Sequence, residues 1–331
     1  MKAMVIEKFG ESSVFKLKEI DTKRLFPGQV RIKVKATSVN PIDIKVRIGA
    51  VPGVSPSFPA VLHGDVAGVI EEVGEGVESF QVGDEVYGCA GGFKGLDGAL
   101  AEYMIADSSV LAHKPQNITM EEAAALPLVG ITAWESLFTK GDLKKGDTIL
   151  IHGGAGGVGH IAIQLAKWMG ATVFTTASSI EKQTVAKELG ADYIIPYREV
   201  SVKEYVEKYT DGKGFSLVFD TVGGDNLDRS FEAASLNGTV LTIAARSTHD
   251  LTPLHSKSLS LHVIFMLLKL LDEENRFEHG DILRNITKVI EENRLKPLLD
   301  KKTFSFEEVG EAHEYLESGK AVGKVVLVNK W

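Results

Sequence analysis

The stretch HGGAGGVG, residues 152–159, decides the fold of this chain. It follows an apolar run at 148–152 that predicts a buried strand, and it precedes a segment, 159–169, whose apolar residues recur at helical spacing. Strand, glycine loop and helix in this order form the unit with which parallel α/β sheets bind phosphate groups.

Three glycines of this stretch match the pattern G-x-G-x-x-G: Gly154, Gly156 and Gly159. The first permits a tight turn, the second lets the backbone approach a pyrophosphate, and the third lets the helix pack on the strand. The helix N-terminus then offers unpaired N–H groups and a partial positive charge to the anion. We therefore predict a dinucleotide site to which the rest of the loop contributes: Ala155, Gly157 and Val158. The alternative is a glycine-rich turn that binds nothing.

Strand-like and helix-like segments alternate after this loop. The predicted strands are 171–177, 193–196, 217–220, 239–244 and a sixth at 259–265, and the predicted helices include 180–189 and 226–234. This alternation indicates a doubly wound parallel sheet.

The two ends of the chain have a different pattern. Residues 29–34 alternate between apolar and charged side chains, and short strand-like runs bounded by glycine follow, which suggests a small, partly open barrel. Near the carboxyl end, 325–328 resembles a strand that returns to this first domain. We predict an α/β chain with a split β-rich domain, 1–124 and 290–331, and an inserted nucleotide domain, 125–289.

The junction before the inserted domain carries a helix signal. Thr119, with acids at 121 and 122, predicts an N-cap, and Pro127 is expected to end that helix. A second helix is predicted near 132–137.

The end of the second strand indicates which dinucleotide binds. NAD sites usually place an acid there to hold the ribose hydroxyls, but residues 175–179 read TTASS. Ser178 and the nearby Lys182 suit a 2′-phosphate, so we predict NADPH. The alternative for Ser178 is that it only caps the next helix.

Composition excludes several function classes. The net charge of -8 disfavours nucleic acid as a partner. The single cysteine, Cys89, cannot form an internal disulfide. The start of the chain lacks the apolar core of a signal peptide, and the most apolar segment, 259–271, is too short to span a bilayer. We expect a cytoplasmic protein.

Several motifs in order give the chain a family resemblance. They are NPID at 40–43, GDVAGVIEEVG at 64–74, VGDEVYG at 82–88, DGALAEY at 97–103, the glycine loop, VFDTVGG at 218–224 and GKVVL at 323–327. In this respect the chain resembles the zinc-independent quinone and enone reductase branch of the medium-chain dehydrogenase/reductase superfamily. The resemblance implies a GroES-like first domain, a Rossmann second domain and a homodimer. We expect the dimer to form through the Rossmann sheet edge near 239–244, because an unpaired apolar edge strand invites pairing.

The resemblance also implies that no metal is bound. Zinc-dependent relatives carry Cys where Asn40 stands and His where Gly64 stands, and their structural zinc needs four cysteines. His63 lies one position out of phase and is expected to be an ordinary loop histidine.

The same resemblance places the substrate residues in the NPID-x-K stretch. Without a Lewis acid, a conjugated carbonyl is the easier hydride acceptor, because the charge spreads onto oxygen as an enolate. Asn40 and Lys45 are the expected donors to that oxygen, and Asp43 is expected to hold one of them or a loop N–H. Quinone-specific relatives often carry Tyr at the Lys45 position and near Val51, and both are absent here. Some plant enone and alkenal reductases resemble this chain at Lys45; the alternative is a surface lysine.

The resemblance adds further nucleotide contacts: Thr132, Tyr197, Gly223, Ala244 and Phe265. Tyr197 could instead pack on the sheet edge, and Phe265 could belong to the core. Two other functions stay open: a zinc-free alcohol dehydrogenase, and a structural or regulatory protein that binds nucleotide without turnover.

Overall fold

The computed structural model describes all 331 residues and divides into two compact units. The β-rich unit comprises residues 1–131, 267–293 and 297–331. The parallel-sheet unit comprises residues 132–266 and 294–296.

The β-rich unit begins with eight strands. They are β1 (Lys2–Ile6), β2 (Lys16–Glu19), β3 (Gln29–Val39), β4 (Ala60–Val61), β5 (Asp65–Val73), β6 (Glu85–Cys89), β7 (Tyr103–Asp107) and β8 (Leu111–His113). β3 buries the alternate residues Val30, Ile32 and Val34, as the alternating sequence predicts.

The first helices of the chain lie between these strands or after them. They are α1 (Pro41–Arg47), α2 (Met120–Ala124) and α3 (Pro127–Trp134), with 3-10 turns at Ser12–Val14 and Ser108–Val110 and a π-helix at Glu135–Lys140. Thr119 caps α2 as predicted: its hydroxyl accepts the Glu122 N–H, and the Glu122 carboxylate accepts the Thr119 N–H.

The parallel-sheet unit is built from six strands with helices between them. The strands are β9 (Thr148–His152), β10 (Thr172–Ala177), β11 (Tyr193–Pro196), β12 (Phe215–Asp220), β13 (Ala234–Thr242) and β14 (Ser260–Val263). The helices are α4 (Gly159–Met169), α5 (Ile180–Glu188), α6 (Val202–Thr210), α7 (Asp225–Ala233) and α8 (Thr252–Lys257). The order β11-β10-β9-β12-β13-β14, parallel throughout, is that of a doubly wound Rossmann sheet, so the predicted fold class is confirmed.

The last part of the chain returns to the β-rich unit. It contains α9 (Leu267–Leu270), α10 (Phe277–Glu291), α11 (Val309–Glu317), β15 (Phe304–Ser305), β16 (Val325–Val328) and a 3-10 turn at Phe306–Glu308. β16 pairs antiparallel with β3 and so joins the carboxyl end of the chain to the seven-stranded sheet of the first strands, as the sequence predicts for a split domain.

The boundary between the units differs from the predicted one. Residues 267–289 were expected in the nucleotide domain, but α10 belongs to the β-rich unit. The reason is packing: α10 buries Ile282 and Leu283 in this unit, and the Tyr87 hydroxyl donates to the Leu283 carbonyl at 2.8 Å.

Two helices near Pro127 and at 202–210 also differ from what the sequence predicts. Pro127 does not end α2; it begins α3, because its fixed φ and missing N–H suit the first turn of a helix. α6 was not predicted, although Ser201 and Glu204 form a capping box at its start.

The predicted dimer edge is wrong in its position. β13, which contains Thr239–Thr242, pairs with β12 on one side and β14 on the other, so it is internal. The strand at this edge of the sheet is β14. No helix of the chain is both long and apolar enough to cross a membrane.

Candidate active site

A cavity of about 740 Å³ opens at the carboxyl ends of the parallel strands. This is the position at which open α/β sheets bind ligands, and the volume suits a small molecule or a cofactor segment. The lining residues end β10, follow one of the strands β9 to β12, or lie on the helices after β10 and β12: Gly153, Ala155, Gly156, Thr176, Ala177, Ser178, Lys182, Tyr197, Thr221, Val222, Gly223, Asp225, Asn226 and Arg229.

The glycine loop has the close contacts that its sequence predicts. Gly153 has a φ of 75°, which favours glycine. A Cβ on Gly154 would lie 2.2 Å from the Thr175 hydroxyl oxygen, and a Cβ on Gly159 would lie 2.2 Å from the Gly153 carbonyl oxygen. Ala155 and Gly156 line the cavity, whereas the other predicted loop residues support the loop without lining it: Gly154, Gly157, Val158 and Gly159.

Ser178 and Lys182 line the same cavity, together with Tyr197. Ser179 is the N-cap of α5, and its hydroxyl accepts the Lys182 N–H at 3.3 Å. Ser178 is therefore not the cap of this helix, and its hydroxyl remains available to a ligand.

Arg229 lines the cavity and was not singled out from the sequence. It lies on α7 one turn after Asp225 and Asn226, so the three residues share one face of the helix. A signal was present, because α7 begins directly after the carboxyl end of β12, and open α/β sheets bind their ligands at that edge. Arg229 gives the cavity a second cation beside Lys182.

The turn after β12 is held by a buried carboxylate. Asp220 Oδ1 accepts the N–H groups of Val222 and Gly223, at 2.9 and 3.1 Å, and the side-chain amide of Asn226 at 2.9 Å. Gly223 has a φ of 75°, and a Cβ there would lie 2.4 Å from the Ala244 carbonyl oxygen. Gly223 thus lines the cavity, and Ala244 supports it from behind.

Two further predicted nucleotide contacts, Thr132 and Phe265, do not line the cavity either. Thr132 is buried in α3, where its carbonyl accepts the Ser136 hydroxyl at 2.7 Å. Phe265 follows β14 and is half-buried.

A buried polar cluster in the β-rich unit surrounds the start of α1. Asp65 Oδ2 accepts the Asn40 amide at 2.8 Å and the Ser38 hydroxyl at 2.7 Å, while Asp65 Oδ1 accepts the Leu128 N–H at 2.8 Å. The Lys324 ammonium donates to Asn40 Oδ1 and lies 3.8 Å from Asp65 Oδ2. We call these three buried residues, Asn40, Asp65 and Lys324, the Asn40 cluster.

Asn40 is fully buried, and the Asn40 cluster engages both its amide nitrogen and its oxygen. The sequence suggested that Asn40 donates to the substrate oxygen. The structure shows it instead between an anion and a cation at the N-cap of α1, where it fixes the start of that helix.

Asp43 lies beside this cluster and completes the cap of α1. Its Oδ2 accepts the Asn40 N–H at 2.7 Å, so it holds a loop N–H and not Lys45. Its Oδ1 is buried without a hydrogen-bond partner. Burial raises the pKa of Asp43 to about 7, and the nearby negative charge of Asp65 adds to that rise.

The raised pKa predicts a pH-dependent contribution to stability. From the ordinary value of 3.8 to about 7, folded Asp43 keeps a proton that the unfolded chain has lost. Stability from this group is therefore present at acidic pH and falls as the pH rises through that window. In Asp43→Asn, which cannot ionise, we expect stability relative to wild type to rise by at least about 1.4 kcal/mol across the window, the equivalent of one pKa unit.

Urea unfolding at a series of pH values measures this difference. His63 contributes stability that rises with pH, because burial lowers its pKa to about 3. Comparison of the variant with wild type cancels this contribution. The exposed Asp21→Asn is the control. Parallel stability curves for Asp43→Asn and wild type would contradict the prediction.

Lys45 lies exposed on α1, and no carboxylate pairs with its side chain. Its ammonium is thus free to meet a ligand, and the chain does not hold it as half of an ion pair.

Comparisons with known proteins agree with both units. The family model of the alcohol dehydrogenase GroES-like domain matches residues 26–116, and that of the zinc-binding dehydrogenase domain matches residues 189–327. A 2-methylene-furan-3-one reductase of Solanum lycopersicum and the chloroplastic NADPH-dependent alkenal/one oxidoreductase of Arabidopsis thaliana are each 35% identical over 99% of this chain and 79% of their own length. The structure of Escherichia coli quinone oxidoreductase complexed with NADPH superimposes with a TM-score of 0.88 at 27% identity, covering 99% of this chain and 100% of that one.

The chain belongs to the quinone and enone reductase branch of the medium-chain dehydrogenase/reductase superfamily.

The family resemblance places Gly64 where metal-dependent relatives carry a zinc-binding His. A Cβ at Gly64 would lie 2.8 Å from both the Gly91 carbonyl oxygen and the Phe93 ring, so this reductase leaves no room for a side chain there. Nowhere in the chain are three or more His, Cys, Asp or Glu side chains grouped to hold a metal ion.

His63 is not the ordinary loop histidine that the sequence suggested. It is fully buried with a φ of 72°, and its Nε2 lies 2.9 Å from Nε2 of His313, with the rings stacked at 5.2 Å. Burial lowers the pKa of both imidazoles, so the two pack as neutral rings.

Proposed function

We propose that this protein transfers a hydride from NADPH to an activated conjugated carbonyl, namely an enone, a 2-alkenal or a quinone, and that it does so without zinc. The single observation that carries the proposal is the cavity at the strand ends. Ser178, Lys182 and Arg229 line it together with the glycine loop, and the end of β10, residues 175–179, contains no acid. The oxidoreductase class and the cofactor agree with the family, whose members include NADPH-dependent enzymes.

The residues of the cavity fit NADPH in a specific way. The glycine loop at the start of α4 would hold the pyrophosphate, because its N–H groups and the helix dipole favour an anion. Ser178, Lys182 and Arg229 would hold the 2′-phosphate, which takes charge-assisted hydrogen bonds. Once bound, NADPH supplies the hydride.

The zinc-free part of the proposal is supported by the residues where a metal would need ligands. Asn40 is engaged by Asp65 and Lys324, and Gly64 has no space for a ligating side chain. A substrate therefore has to be activated by its own conjugation, with a protein donor facing the developing enolate. Lys45 is the exposed cation in the NPID-x-K stretch, and the plant relatives named above support enones and alkenals as the substrate class.

A screen of quinones, 2-alkenals and cyclic enones with NADPH tests the function. The expected result is substrate-dependent loss of absorbance at 340 nm by protein that contains no stoichiometric zinc. Gly154→Val is the matched inactive control, since a Cβ there meets the Thr175 hydroxyl. Turnover of simple alcohols alone would favour a zinc-free alcohol dehydrogenase, NADPH binding without any turnover would favour a regulatory protein, and zinc whose removal abolishes activity would refute the metal-free mechanism.

Cofactor preference is expected to depend on the two cations of the cavity. Lys182→Ala and Arg229→Ala should each weaken NADPH binding roughly 10–100-fold, because charge-assisted hydrogen bonds contribute about 1.5–3 kcal/mol, while NADH binding changes little. Titration of protein fluorescence with both cofactors measures the two dissociation constants. Lys187→Ala is the control, because Lys187 lies on α5 but does not line the cavity. Equal losses for NADPH and NADH would show that neither cation reads the 2′-phosphate.

We further propose that the protein forms a homodimer through β14. This edge strand exposes backbone groups and the Val263 side chain, which is 54% exposed, and such an edge favours pairing. Val263→Lys should shift the sedimentation coefficient to that of a monomer at micromolar concentration. Leu236→Lys is the control, since Leu236 is exposed on β13 outside the segment that pairs with β14. A wild-type protein that sediments as a monomer would contradict the dimer.

A further inference from the structure

The irregular segment between β13 and α8 brings a serine and a histidine to an aspartate of α7. The Ser247 hydroxyl oxygen lies 2.5 Å from Nε2 of His249, and Nδ1 of the same ring lies 2.9 Å from Asp228 Oδ1. None of the three residues lines the nucleotide cavity. They form a hydroxyl–imidazole–carboxylate chain outside the site described above.

The imidazole is held in one orientation, while the hydroxyl faces solvent. The His249 side chain is 8% exposed and packs edge-on against Phe231, with ring centroids 6.2 Å apart at 83°. Ser247 is exposed, and the Asp228 side chain is 52% exposed. With Nδ1–H donating to Asp228, Nε2 of the neutral ring carries the lone pair that accepts the Ser247 proton, which is the arrangement that activates a serine.

We propose that Ser247 is an activated nucleophile and that Ser247, His249 and Asp228 form an accessory acyl-transfer site for small activated esters. Ser247 Oγ forms a bond to the ester carbonyl carbon while its proton passes to His249 Nε2. The ester C–O bond then breaks, and the alcohol leaves with that proton. Water attacks the acyl-serine through the same base, which releases the carboxylic acid and restores the hydroxyl.

Two backbone groups are available to the oxyanion of this reaction. The N–H groups of Ser247 and Thr248 donate to no acceptor in the chain. A nucleophile's own N–H is a common member of an oxyanion hole. Because Ser247 lies on an open surface, the site suits a small ester with a good leaving group and not a folded peptide.

Hydrolysis of p-nitrophenyl acetate and labelling by a fluorophosphonate test this site in the full-length protein. We expect the phosphonyl label at Ser247, located by peptide mass spectrometry. Ser247→Ala should remove the label and lower ester hydrolysis at least tenfold, and His249→Gln should have the same effect. Ser256→Ala is the control, since Ser256 is exposed on α8 and its hydroxyl donates only to the Pro253 carbonyl.

Asp228 acts through His249, so it is a positioning residue. Asp228→Asn should lower kcat for the ester with KM unchanged, and Asp228→Glu should restore part of it. NADPH-dependent reductase activity should be the same in all of these variants, which shows that they are folded. A label at another residue, no label, or undiminished hydrolysis by Ser247→Ala would overturn the proposal.

Discussion

Replacing Lys324 with methionine is expected to lower the free energy of unfolding by about 3–5 kcal/mol, the usual cost of breaking a buried ion pair on one side. Lys324 is 3% exposed, and its ammonium lies between Asn40 Oδ1 and the carboxylate of Asp65, which is fully buried. Burial lowers the pKa of Lys324, but the negative charge of Asp65 counteracts that change. Methionine matches the length of the side chain and leaves Asp65 without its cation.

Urea unfolding of the purified variants measures this loss. The double variant Lys324→Met/Asp65→Asn should recover part of the stability, because the remaining partner no longer carries a charge. Lys320→Met, at an exposed position of the same unit, should unfold like wild type. A Lys324→Met protein as stable as wild type would show that hydrogen bonds alone satisfy Asp65.

The same cluster links stability to the proposed chemistry. Asp65 accepts hydrogen bonds from Ser38 at the end of β3 and from Asn40 at the cap of α1, so it fixes where α1 begins. Asp43 completes that cap, and Lys45 follows two residues later on the same short helix. The buried charges thus determine the direction in which α1 presents Lys45.

Much of the fold followed from local sequence because its determinants are local. The glycine loop occupies eight consecutive residues. The six strands of the parallel sheet, together with β3 and β16 of the β-rich unit, were predicted from short apolar runs or from alternation. The missing acid after β10 also lies close to the loop in sequence. Each of these features depends on residues that are close together in the sequence, so the sequence is enough to predict it.

The features that were missed depend on distant residues. Lys324 meets Asn40 across 284 positions, and His63 meets His313 across 250, so no spacing rule connects them. Burial of His63 could not be foreseen from its loop position. The assignment of α10 to the β-rich unit was missed for the same reason, because an amphipathic helix does not reveal which core it covers.

Lys45→Met is expected to reduce turnover of an enone roughly a hundredfold while the dissociation constant of NADPH stays unchanged. Hydride arriving at the β-carbon leaves negative charge on the former carbonyl oxygen, and loss of one donor to a developing oxyanion typically costs about that much. Lys45 is exposed on α1 and no carboxylate pairs with its side chain, so its ammonium can donate to a ligand. This prediction rests on the proposed function.

Steady-state kinetics with an enone, together with NADPH titrations, separate the possible roles of Lys45. Lys45→Arg should retain part of the turnover because it keeps a charged donor, and Lys35→Met, at an exposed position on β3, is the control for loss of a surface charge. A reduced kcat with unchanged cofactor binding places Lys45 at the reacting oxygen. Normal kinetics in Lys45→Met would make it a surface lysine and leave proton delivery to water or a ribose hydroxyl of the cofactor. The fold and the cofactor would stand in either case, because neither depends on Lys45.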